Sequence, residues 1–309
     1  MALNNIITAS DFKLLDTIAQ ITDVPSCAFN IRKNGEGVAR GESENIKITT
    51  KTGVSGIDIK IAPGTKGEKV YIPVIITETD LTETVYNDFY IGEGADVVIV
   101  AGCGIHNDGA CASRHDGVHT FHISKGAHVK YEEKHFAEGN GDRIMNPVTV
   151  INLGKDASFD MDTEQIKGVT STLRKTTAYL AENAKMNVLE KIVTHDNYTA
   201  VSDIDVYMNG TGSSLQIVSR SVARDDSSQK FHPRAIGNAK CSAHVQCDSI
   251  IMDSAKVASI PEIAANSADA EIIHEAAIGR INNEQLLKLM TLGLSPTEAE
   301  NVIIEGFLS

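Results

Sequence analysis

The sequence predicts a β-solenoid (β-helix), one elongated all-β body with a helix ahead of it and a helical hairpin behind it. Three observations carry that expectation. From about Asn45, apolar and polar residues alternate at period two, the spacing of half-buried strands. From about residue 90 a phrase recurs: a turn-forming residue, then a small one, then alternating apolar residues. The small residue falls at 95, 127, 157, 184, 213, 239, 255 and 270. Near-constant spacing of this kind marks stacked coils, each burying its apolar face only against its neighbours. The third observation is composition. Seven Tyr, eight Phe and no Trp in 309 residues suit thin β layers with a core of Val, Ile, Ala and Leu. An antiparallel sandwich with regular hairpins competes, but the period persists over eight copies and favours the solenoid.

Taken in order, residues Asp11 to Thr22 (DFKLLDTIAQIT) place Leu14, Leu15, Ile18 and Ile21 at helical spacing, with Ser10 available as N-cap. ENIKITTKTGVSGIDIKIAP then opens the strands. The repeated phrase reads Gly94-Ala95 before DVVIV, Gly126-Ala127 before HVKY, Asp156-Ala157 before SFDM and Asn183-Ala184 before KMNVLEKIV. It continues with Gly212-Ser213, Asn238-Ala239, Ser254-Ala255 and Ala268-Asp269-Ala270. Its gaps run between 26 and 32 residues, then halve to 16 and 15. DDSSQ at 225–229 reads as an exposed loop tip. At Asn282 the period turns helical: Asn282 caps LLKLM, with Gln285 three residues on, and Gly293 stops that helix. Ser295-Pro296-Thr297-Glu298 is a capping box with Pro at the first helical position. No linker divides the chain. The expected organisation is an N-terminal helical segment at 1–44, a β core at 45–281 and a helical hairpin at 282–309.

Totals and missing motifs exclude several functions. Lys and Arg number 28 against 41 Asp and Glu, a net charge of −13, which argues against nucleic acid and anionic membranes as partners. No run approaches the ~18 apolar residues that span a bilayer. The start, MALNNIITASDFK, lacks the basic and apolar regions of a secretion signal. Five scattered cysteines are too few for a disulfide scaffold and imply reduced thiols in a cytoplasmic protein. GTKGEK at 64–69 lacks P-loop spacing, so no nucleotide triphosphate is expected on this chain. There is no G-x-S-x-G elbow and no C-x-x-C. His274-Glu275 begins like a zincin helix, but Ile278 occupies the second histidine position.

Two stretches hold residues able to do chemistry. Cys103 to His135 contains two of the five cysteines and six of the ten histidines, including His106, His115, His119 and His122. That density fits a metal site, yet on a strand His119 and His122 face opposite sides and cannot share one ion. Cys241 to Ile281 holds two thiols (Cys241, Cys247), two imidazoles (His244, His274) and Glu275. Thiolate and imidazole suit zinc or iron–sulfur chemistry over calcium or magnesium. Cys241 and Cys247 share a face if their strand is unbroken, whereas His274 and Glu275 point to opposite sides. From the residues alone, a buried Cys acting as a small hydrophobe is the default.

The C-terminal third carries more. Gln246-Cys247-Asp248-Ser249, Pro261-Glu262-Ile263, Ala270 to Ala276 and Gly279-Arg280-Ile281 follow one another without large gaps. Glu284-Gln285-Leu286, Gly293-Leu294-Ser295 and Gly306-Phe307 come next. This order over about seventy residues closely resembles the core of the SufB/SufD family of iron–sulfur cluster assembly proteins.

That resemblance implies a right-handed parallel β-helix on which a transient iron–sulfur cluster is assembled. The scaffold is not itself an enzyme, and it works with a SufC-like ABC ATPase and a sulfur donor protein. It further implies Cys247 as cluster ligand or sulfur acceptor, with His274 and Glu275 as auxiliary ligands where two scaffold chains meet. Cys103, in GCGIHNDG, falls roughly where SufB has a second cysteine linked to sulfur entry. Many SufB proteins read Glu-His-Glu where this chain has Ile273-His274-Glu275, and the usual SufB is longer at its N-terminus. With Cys247 retained, the chain looks like a compact SufB-type scaffold, acting as a homodimer or in a SufB–SufD-type heterodimer. The competing classes are a structural or regulatory solenoid without a cluster, and a β-helix enzyme acting on polysaccharide. The latter needs a groove of carboxylates and basic residues and usually a secretion signal, neither of which is evident.

Overall fold

The computed structural model describes residues 7–309. Residues 1–6, on which the reading of the N-terminus as no secretion signal rests in part, lie outside the described residues. The first helix, α1 (Ala9–Ala19), is capped by Thr8 rather than Ser10. Asp11 wins that role for Thr8: its carboxylate accepts the Thr8 N–H at 2.7 Å while the Thr8 hydroxyl accepts the Asp11 N–H, a reciprocal capping box. Asp11 also holds Lys33 at 2.7 Å.

Strands begin earlier than the alternating pattern shows. β1 (Ala28–Lys33) and β2 (Glu36–Gly41) form one antiparallel hairpin, β3 (Ile46–Thr50) and β4 (Gly56–Ile61) a second. The segment up to residue 44 is therefore one helix followed by a hairpin. β1 is buried at nearly every position, so it lacks the alternation that reveals a half-exposed strand.

Parallel coiling then takes over. The turns comprise β5 (Lys66–Ile76) with β6 (Thr82–Ile91), then β7 (Asp96–His106) with β8 (Ser113–Ile123). β9 (His128–Glu138) is followed by β10 (Arg143–Met145) and β11 (Val148–Leu153), and β12 (Ser158–Lys167) by β13 (Ser171–Leu180). β14 (Lys185–Thr194) and β15 (Thr199–Met208), then β16 (Ser213–Ala223) and β17 (Ser228–Gly237), repeat the unit. β18 (Cys241–Ile251) leads to β19 (Lys256–Ser259) and β20 (Glu262–Ala265), and β21 (Glu271–Gly279) closes the body. First members stack in one sheet in the order β2-β1-β5-β7-β9-β12-β14-β16-β18-β21, and second members form the facing sheet. The result is a parallel β-solenoid of about eight turns.

The repeat is explained by its turns. Gly94, Gly126, Asp156, Asn183 and Gly212 all adopt positive φ, where glycine is unstrained and Asn or Asp tolerated. The small residue after each drops into the core: Ala95, Ala127, Ala157, Ala184 and Ser213 are buried. The halved spacing near the end has a simple cause. Ala255 precedes β19 in the second sheet, whereas the other copies precede strands of the first. Gly168 shows how tight one corner is, since a Cβ there would lie 1.8 Å from the Ala137 carbonyl oxygen. DDSSQ is only half a loop tip. Asp225 turns at φ 55°, but Ser227 and Gln229 are buried, because strand alternation resumes at once.

Inside the solenoid the apolar side is led by Phe89, Phe121, Tyr131 and Phe159. Phe121 stacks on Phe89 at 4.4 Å and meets Tyr131 and Phe159 edge-on at 5.0 Å. Outside, α1 lies on the first sheet with Leu14, Leu15 and Ile18 packed near Ile31, Ile75 and Val100. The tail forms α2 (Asn283–Thr291) and α3 (Pro296–Leu308), each starting at its expected cap, Asn282 and Ser295. The pair reaches back to β16 and does not cover the end of the coil, where β21 stays largely exposed.

Candidate functional site

Cys247 and His274 come together at that uncovered end. On β18, Cys241, Ala243, Val245, Cys247 and Ser249 all point inward, so the two cysteines do share a face. β21 pairs with β18 in parallel, with His274 opposite Val245 and Ala276 opposite Cys247. His274 therefore also faces the interior, and its Nε2 lies 3.4 Å from Cys247 Sγ. Burial pushes the Cys247 thiol above its ordinary pKa.

Alternation sends Glu275 the other way. It stands on the outer face, 3.5 Å from His244 Nε2, the second imidazole of the Cys241 to Ile281 stretch. Cys241, six residues along the same strand, lies roughly 20 Å from Cys247 at about 3.3 Å per residue and sits in the apolar core. Cys103 is fully buried on β7, five strand steps from β18, or roughly 24 Å at about 4.8 Å per step. Burial, followed by the charges of Glu83 and Glu133, raises its thiol well above the usual value. All five cysteines are free thiols. The His-rich stretch splits as alternation required, His119 buried inside and His122 exposed outside. Among the described residues, no three His, Cys, Asp or Glu are grouped so as to hold a metal ion.

Residue chemistry alone did not single out a polar column inside the coil that runs to Cys247. Strand register aligns Glu133, Thr163, Glu190, Ser219 and Cys247 on successive turns. Arg174 enters from the opposite sheet, pairs with Glu133, and lies 3.8 Å from Glu190. Burial alone would raise the Glu133 carboxyl, but Arg174 and then His135 and His119 overcome it and hold it well below normal. Glu190 goes the other way: burial raises it despite Arg174 and the hydroxyls of Ser202 (2.7 Å) and Ser219 (3.3 Å). Parity places Glu133 inside, since it keeps step with Val129 and Tyr131 in VKYEEKHF, but its alignment with the other members needs the strand register.

The family model for the SUF system FeS cluster assembly SufBD core domain matches residues 76–307, well over half of the chain. This chain belongs to the SufBD family.

Curated relatives agree. An iron–sulfur cluster assembly SufBD family protein of Methanothermobacter thermautotrophicus (strain Winter) is 28% identical over 241 residues, covering 76% of this chain and 58% of that protein. One from Methanocaldococcus jannaschii is 26% identical over 281 residues, covering 88% and 84%. One from Archaeoglobus fulgidus is 26% identical over 273 residues, covering 87% and 72%. The chain thus spans little more than half of the Methanothermobacter protein. SufBD membership supports a role in iron–sulfur cluster assembly, and the matched region contains the whole polar column, Cys247 and His274. Among the described residues, no helix of this SufBD chain is long and apolar enough to cross a membrane.

Proposed function

We propose that this SufBD chain is a SufB-type scaffold that builds a nascent iron–sulfur cluster at Cys247 and passes it on, working with an ABC-type ATPase. One observation carries the reading: a thiol and an imidazole 3.4 Å apart at the uncovered end of the solenoid. Thiolate sulfur holds iron firmly, and imidazole completes the ligation loosely enough for release. The cluster here is cargo, so weak auxiliary ligation is an advantage.

Two ligands are fewer than the four a cluster takes, and the edge at β21 supports completion by a second scaffold chain. An unpaired strand edge is a template for pairing, and Ile263, Ile273 and Ile278 are exposed around it. Across a two-fold axis, two copies would bring two Cys247 sites together. A SufD-type partner in place of the second copy meets the same edge. Glu275, with His244, sits on the outer face as an auxiliary ligand at the rim. Cys103 is too far from Cys247 to share a cluster, so its place in this reading is sulfur entry from a donor protein.

The ATPase engages the α2–α3 hairpin, whose Leu287, Met290, Leu292 and Val302 are exposed as in a docking face. Nucleotide-driven motion of the hairpin would then loosen the end that carries Cys247. Free thiols throughout fit a reducing, cytoplasmic setting. The test is cluster assembly in a complete anaerobic system of scaffold, ATPase and sulfur donor. Cys247→Ala should abolish assembly and His274→Ala should lower it. Unchanged assembly in Cys247→Ala would favour a structural solenoid that carries no cluster.

A further inference from the structure

On the outer face of the second sheet, one column of side chains reads Tyr90, His122, Asn152, Tyr179, Tyr207 on successive strands. Tyr90 stacks on His122 with centroids 4.9 Å apart and planes 10° apart, and Tyr179 stacks on Tyr207 at 5.2 Å and 14°. The ladder breaks once, at Asn152. There His122 and Tyr179 face each other across two strand spacings, roughly 9.6 Å at about 4.8 Å each. An open surface groove of about 410 Å³ runs from the break onto the adjoining corner, lined by His122, Asn152 and Tyr179 at the break and by Ser124, Gly154 and Ala181 beyond it. A ring placed midway would stand about 4.8 Å from each neighbour, the spacing the two existing pairs already show.

We propose that this break is a binding slot for one planar heteroaromatic ring of purine type. Stacking supplies the faces: aromatic side chains hold a base through either π-face whatever its identity. The floor supplies the edge. Asn152 makes one contact at the limit of hydrogen bonding, Nδ2 to the Phe121 carbonyl at 3.5 Å, which leaves its carbonyl oxygen to accept from a ring substituent. A side-chain amide presents one donor and one acceptor in the spacing of an adenine N6/N7 edge. The groove beyond the break leaves room for the substituents of a ring held between His122 and Tyr179. The net charge of −13 disfavours a nucleic-acid strand and leaves a single small molecule as occupant. The missing P-loop concerns a triphosphate, not a ring. The site lies on the opposite sheet from Cys247, and its occupancy does not depend on cluster assembly.

Adenosine is the probe, followed by ligand-observed saturation-transfer NMR on the intact chain, with ribose as control. Saturable binding is expected, with transfer strongest to purine H2 and H8 and none to ribose alone. Tyr179→Ala should weaken it roughly five- to hundred-fold, the loss of one base–aromatic stack. Asn152→Phe fills the slot with a ring, continues the ladder and should abolish binding while melting no lower than the wild type. Both positions face solvent or are half-buried, and circular dichroism confirms that the variants fold. Absence of saturable binding overturns the proposal, as does adenosine binding that survives Asn152→Phe. A slot reserved for a side chain of another protein shows as the first of these results.

Discussion

Removing Arg174 tests whether the charged column inside the coil is a satisfied network. Arg174 and Glu133 are 3% and 5% exposed and pair directly. Arg174→Met keeps the length of the side chain and deletes the charge. Glu133 then retains the Tyr131 hydroxyl at 3.0 Å and His135 at 3.6 Å, neither of which replaces a guanidinium. Breaking a buried pair from one side leaves an uncompensated charge and costs about 3–5 kcal/mol. Urea unfolding followed by circular dichroism should show that loss at pH 7. The triple variant Glu133→Gln, Glu190→Gln with Arg174→Met neutralises both carboxylates that face Arg174 and should recover much of it. The pH dependence supplies a sign. Glu133 is held well below its ordinary value in the folded chain, so its contribution is present above the unfolded carboxyl pKa of about 4.3 and fades as pH falls towards the folded value. The gap between wild type and Arg174→Met should therefore narrow below about pH 4. A variant within about 1 kcal/mol of wild type at pH 7 would refute the buried-pair reasoning, since even exposed ion pairs reach that size.

His119 is buried, with its pKa pushed down to about 4, burial being the main cause. The unfolded chain takes up this proton near pH 6.5 and the folded chain does not, so stability should fall between pH 6.5 and 4 by up to about 3 kcal/mol; His119→Gln should flatten that slope in urea titrations. Glu190 is raised by burial, so its charge works against folding at neutral pH; Glu190→Gln should unfold at the same or higher urea concentration at pH 7. Phe121→Ala removes a fully buried ring stacked on Phe89 and should cost about 3–5 kcal/mol in unfolding free energy. Ile273→Lys places a charge on the exposed strand edge; light scattering should show lost self-association with an unchanged melting temperature.

The solenoid was legible because its cause is local. Each turn needs a residue tolerant of positive φ and a small residue behind it, and both are visible at Gly94-Ala95 or Asn183-Ala184. The first hairpin was not, because β1 is buried on both faces by α1 and the coil and shows no alternation. Alternation alone also puts His274 and Glu275 on opposite faces. Spacing along the chain could not reveal that His274 meets Cys247. That contact depends on the register of β21 against β18, twenty-seven residues away. The Glu133–Arg174–Glu190 column was missed for the same reason: its members are distant in sequence and meet only through strand stacking. The local reading of the cap failed at Ser10, where the reciprocal bonds of Thr8 and Asp11 decide the helix start.

Cluster binding at Cys247, at the open end of the solenoid, is the step on which the other proposed roles depend. Anaerobic co-purification of the chain with an ABC-type ATPase, followed by iron and acid-labile sulfide determination, tests this directly. We predict that iron and sulfide co-elute with a complex of two scaffold chains and ATPase, and that both vanish in Cys247→Ala while the complex still forms. Equal iron and sulfide in Cys247→Ala, or none in the wild-type complex, would contradict it.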